Sequence, residues 1–175
     1  MSTHVSLSPA LPLTHVLLRI LIAVNWIGGV LILVLLVATP NEEWIMRAFK
    51  LSPSPDTDRL ILGLQAAAVL GLVVIPVNYF ILKRLLAIVG TVRAGDPFVA
   101  ANAARLQSIA WALVVLQLLG IAIGAIGKAV STPAHPVNLD AGFSINGCLA
   151  VLLTFLLARV FAEGTRMRDD LEGTV

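Results

Sequence analysis

Four stretches of this chain, about residues 16–38, 60–82, 109–126 and 143–158, are long and almost uninterruptedly apolar. A helix needs about 20 such residues to cross a hydrocarbon core about 30 Å thick, because each residue rises about 1.5 Å. Four spans of that length constrain the fold more than any other feature. In lipid, every backbone polar group must find its partner within the chain, so the spans must be helices. The expected class is all-α: an integral membrane four-helix bundle forming one transmembrane domain over residues 1–175.

Composition agrees. Of 175 residues, 58% are apolar and 13% charged, and the mean hydropathy is +0.95. Soluble domains carry roughly 25% charged residues to clothe their surface. The net charge of +2 gives no reason to expect direct nucleic-acid binding. The first span is longer than the roughly 7–15 apolar residues of a signal peptide and lacks a small-residue cleavage pattern, so it is expected to be retained.

Basic residues orient the chain. With the amino terminus inside, Arg19, Lys83, Arg84, Arg93, Arg105, Arg159, Arg166 and Arg168 are cytoplasmic, against Arg47, Lys50, Arg59 and Lys128 outside. Eight against four predicts both termini in the cytoplasm. The second and fourth helices are expected to continue past the membrane there, to about Arg93 and Leu171. Gly95, Asp96, Pro97 and Phe98 then form a tight helical hairpin. Asp96 is expected to cap the third helix and Pro97 to occupy its first position. Glu163 with Arg166, and Arg166 with Asp170, are spaced to meet on one helix face. On the outer side, residues 41–51 are expected to form a short interfacial helix, and the loop over 131–140 carries His135.

The spans hold no Asp, Glu, Lys or His away from their ends. This removes the membrane carboxylate of proton-coupled carriers and the in-span histidines of haem ligation. No metal-ligand cluster, nucleophile set or phosphate loop is visible, so neither cofactor nor metal is expected and the chain is not read as an enzyme. The lone Cys148 excludes an internal disulfide and reads as a buried structural thiol. The uncharged polar residues Asn25, Gln65, Asn78, Gln117 and Asn146 either bond between helices or line a small-molecule pocket. Gly120 and Gly124 permit a close helix approach, within the chain or in a homo-oligomer. Pro76, with Gly71 nearby, is expected to kink the second span. Phe80, Arg84 and Ala87 recur as Phe155, Arg159 and Ala162, either because two helical hairpins are related or because this is simply what the cytoplasmic exit of a span looks like.

Two segments carry a resemblance. Gly95, Pro97, Phe98, Asn102 and Leu106 on the hairpin, with Phe161, Gly164, Asp170, Thr174 and Val175 at the tail, resemble the signature segments of domain-of-unknown-function family 2975. These are small bacterial four-span membrane proteins. The chain departs from the family at Ala101, where an acidic residue is common, and at Gln107, where a basic one is frequent. The resemblance implies a bacterial inner-membrane location and a genomic association with small helix-turn-helix regulators, but no enzymatic activity. The expected function is therefore a regulatory or sensor protein that docks such a regulator from the cytoplasm. Asp96, Pro97, Phe98, Asn102, Arg105, Phe161, Gly164, Arg166 and Asp170 would form either the docking surface or a cytoplasmic network, linked through its charged members, that only caps the two hairpins and staples them together. The alternative is a small oligomeric channel or carrier built around the Asn and Gln positions.

Overall fold

The computed structural model describes residues 10–38, 47, 55–132 and 141–172. It contains helices α1 (Ala10–Ala38), α2 (Pro55–Arg93), α3 (Ala100–Val130) and α4 (Ile145–Glu172), and no strand among the described residues. Each of the four holds a stretch long and apolar enough to span a bilayer. α2 is 39 residues long, roughly twice what the hydrocarbon requires. It and α4 run on beyond their apolar stretches, as expected. The interfacial helix expected over 41–51 (Arg47 apart), His135, and the tail residues Gly173, Thr174 and Val175 lie outside the described residues.

Successive helices run antiparallel. Gly71 on α2 faces Ile32 on α1, and about two turns on, Trp26 and Tyr79 pack with centroids 5.6 Å apart and rings tilted by 58°. Ile81 of α2 packs with Ile109 and Ala112 of α3 in the main buried cluster. Trp111 of α3 meets Phe155 of α4 edge-on, at 5.5 Å and 86°. Every substantial helix–helix interface joins chain neighbours: α1 with α2, α2 with α3, and α3 with α4. The edge helices are consequently bare. Only 6% of the most apolar stretch of α1 or of α4 is buried, against 22% for α3. Water would not tolerate that much exposed apolar surface, whereas lipid tails match it. The fold is that of a multi-pass membrane protein.

The Gly120–Gly124 pair serves a contact inside the chain. A Cβ at Gly124 would collide with the Ala141 carbonyl oxygen, and one at Gly120 would stand 3.6 Å from that of Gly142. The two glycines thus seat the backbone that leads into α4. That helix opens on Ser144, whose Oγ accepts from the Gly147 N–H at 3.1 Å, an N-cap contact. α2 stays helical through Pro76, and Asn25 Nδ2 donates across to the Ile75 carbonyl at 3.1 Å.

Candidate functional site

The distinctive residues of the hairpin and of α4 meet at one end of the helices. Their meeting begins with Gly95. Its φ is +85°, a region where a Cβ is costly and glycine is free. The Gly95 N–H donates to the Val92 carbonyl at 3.1 Å and the Asp96 N–H to the Thr91 carbonyl at 3.0 Å. This pair of bonds is a Schellman motif, which satisfies carbonyls orphaned at the end of α2.

The chain then stays non-helical through Val99, which corrects the expected start of the third helix. Val99, not Asp96, is the N-cap, with φ −113°, ψ 142° and no side-chain capping bond. Pro97 consequently lies outside the helix. The first turn of α3 closes by backbone alone, with the Asn102 N–H donating to the Val99 carbonyl at 2.8 Å. The Asp96 carboxylate is engaged elsewhere: it pairs with the Arg168 guanidinium on α4.

Asn102 ties the turn together. It is completely buried, yet both of its donors and its oxygen are engaged. Nδ2 donates to Thr91 Oγ1 at 2.7 Å and to the Pro97 carbonyl at 2.9 Å. Oδ1 accepts from Arg105 Nη1 at 2.7 Å. Thr91 Oγ1 in turn donates to the Ile88 carbonyl at 2.7 Å. One side chain therefore links the last turn of α2, the linker and the second turn of α3. A buried amide so satisfied stabilises, whereas an orphaned one costs about 1–3 kcal/mol.

Phe98 carries the linker onto α4. Its ring lies 5.4 Å from that of Phe161 and covers Gly164 so closely that a Cβ there would come within 2.8 Å of it. Beneath, Thr165 is buried and donates to the Phe161 carbonyl at 2.9 Å. Phe161, Gly164, Thr165 and Arg168 thus form one stripe of α4, at helical spacing, and the linker rests along it. Arg168 is the partner that reading the sequence overlooked, although its spacing of four from Gly164 marked it as facing the same way.

The other expected members lie apart from this contact. Glu163 and Arg166 pair with each other at 3.8 Å on an exposed face. Asp170 is exposed in the following turn. Arg105 joins through Asn102 rather than through the acidic residues.

The intramembrane polar set is spread over different interfaces. Asn25 bonds across α1 and α2. Gln117 lies over Gly147 between α3 and α4, with its Nε2 buried and unpartnered. Near it, Cys148 is half-buried in an apolar groove. Gln65 and Asn78 are half-buried on α2, and Asn146 is exposed at the start of α4.

No curated protein and no solved structure matches the chain. Residues 39–175, which include α2, α3 and α4 and begin just after α1, match the family described as "Protein of unknown function (DUF2975)". The turn built on Gly95, Pro97, Phe98 and Asn102 and its seat on Phe161 and Gly164 both fall within that match, and the chain belongs to this family.

Proposed function

We propose that this protein is a bacterial inner-membrane regulator that holds a soluble partner at its cytoplasmic surface, and that the turn on α4 is the holding surface. The observation that carries this reading is the seat of Phe98 on Phe161 and Gly164. It joins the extended ends of α2 and α4 into one rigid platform, yet Phe98 itself remains 42% exposed. The Asp96–Arg168 pair beside it is also about half exposed. An aromatic ring at the centre of a preorganised surface, with a charged pair at its rim, suits protein recognition.

The excess of basic residues at this end supports a cytoplasmic orientation. The family resemblance supports a small helix-turn-helix regulator as the partner, with the DNA contact made by the regulator. The chain itself supplies a tether rather than a catalyst.

The test is co-purification from detergent extract with the regulator encoded beside it. The parent chain retains the regulator, and Phe98→Ala reduces retention at least tenfold while the helices stay folded. Absence of any interaction, or retention unaffected by Phe98→Ala and by Asp170→Asn, would overturn the proposal.

A further inference from the structure

α3 and α4 do not close tightly at the level where α4 leaves its apolar stretch. Ala103, Ala104, Ala158 and Ala162 wall a trough of about 300 Å³ between them. That volume lies at the lower edge of ordinary ligand sites. Phe155, Gln107 and Arg159 complete the lining.

The polar groups there are unspent. Among the described residues, neither Arg159 nor Gln107 makes a hydrogen bond or ion pair. The carboxylates nearest in sequence are otherwise engaged, Glu163 with Arg166 and Asp96 with Arg168, and none lines the trough. Arg84, which occupies the equivalent place in the Phe80–Arg84 segment, lies 4.8 Å over its own Phe80 ring. Arg159 has no such cover.

Position along the helix supplies the rest. Arg159 is the first charge after the apolar run that begins at Ile145, which puts it at the boundary between hydrocarbon and headgroups. One turn toward the bilayer centre, Phe155 meets Trp111 edge-on, and Trp111 is itself 60% exposed. A cation with an amide at the polar boundary, continued by an aromatic rail into the apolar layer, matches a molecule with an anionic head and a hydrocarbon tail. We propose that this trough seats an anionic phospholipid, its phosphate on Arg159 and Gln107 and one acyl chain along Phe155 and Trp111. Basic pockets between spanning helices recognise lipid headgroups in this way. A free phosphate would meet only the head of the site.

Trp111 reports the occupant. In a Trp26→Phe, Trp44→Phe background, the protein is reconstituted in phosphatidylcholine vesicles holding a small fraction of brominated lipid. Brominated phosphatidylglycerol should quench Trp111 about fivefold more effectively than brominated phosphatidylcholine, the effect of one cation near an anionic headgroup. Arg159→Gln should equalise the two lipids, Arg159→Lys should keep the preference, and millimolar inorganic phosphate should not relieve the quenching. Helicity by circular dichroism verifies that each variant is folded. Equal quenching in the parent, a preference that survives Arg159→Gln, or displacement by inorganic phosphate would overturn the proposal.

Discussion

The ring of Phe98 occupies the space in which a side chain at Gly164 would begin, only 2.8 Å from the position of its first carbon. Gly164→Ala must therefore displace the ring, and overpacking of this kind typically costs about 1–3 kcal/mol. Thermal unfolding in detergent should show the loss, and hydrogen exchange should rise over residues 95–98. Because the two residues share one contact, Gly164→Ala combined with Phe98→Leu should cost less than the sum of the single changes.

Asn102 allows a sharper comparison. Its two donors face oxygen atoms of Thr91 and Pro97, while its oxygen faces Arg105. Asn102→Asp preserves shape and the arginine contact but turns an acceptor toward two acceptors. It should destabilise at least as much as Asn102→Ala, for which about 1–3 kcal/mol is expected from the stranded partners. Denaturation midpoints in a single detergent would rank the two. If Asn102→Asp proved as stable as the parent, the assigned bonding would be wrong.

The glycines should separate by what lies against them. Gly124→Ala drives a Cβ into the Ala141 carbonyl, a backbone atom that cannot swing aside, whereas Gly120→Ala meets ordinary contact at 3.6 Å. Gly90 has nothing within 4 Å, so Gly90→Ala should stabilise α2 by up to about 1 kcal/mol through helix propensity. The expected order of melting temperature is Gly90→Ala above parent, Gly120→Ala near it and Gly124→Ala well below.

Orientation is checked by labelling intact cells with a membrane-impermeant maleimide in a Cys148→Ser background. Glu163→Cys, on the exposed end of α4, should be protected, and Lys128→Cys, at the opposite end of α3, should react. The reverse pattern would put the Phe98 platform outside and remove the proposed partner with it.

The spans were legible because hydropathy is a sum over adjacent residues. The Gly95 turn was legible because a helix C-terminus is settled by a few neighbouring backbone groups. Asp96 was misread for the opposite reason. As a local feature it is a good cap, but its carboxylate answers to Arg168, 72 residues away. Which helices touch was hidden as well. In lipid, outward faces such as Val34 and Leu152 are as apolar as buried ones, so periodicity does not mark the inner side. The family resemblance marked Phe161 and Gly164, but Thr165 and Arg168 could be joined to them only once the turn resting on that stripe was known.

Packing between chain neighbours alone has a consequence for biosynthesis. Each helix leaving the translocation machinery meets its principal partner in the one made just before it, so no interface waits for α1 to find α4. Assembly dominated by such short-range pairing is expected to be fast. The exception is the linker: Phe98 and Asp96 are made with the hairpin but have no seat until Gly164 and Arg168 have been synthesised. A nascent chain halted after α3 would already hold two of its three interfaces, and the platform would be completed only by the last turns of the last helix.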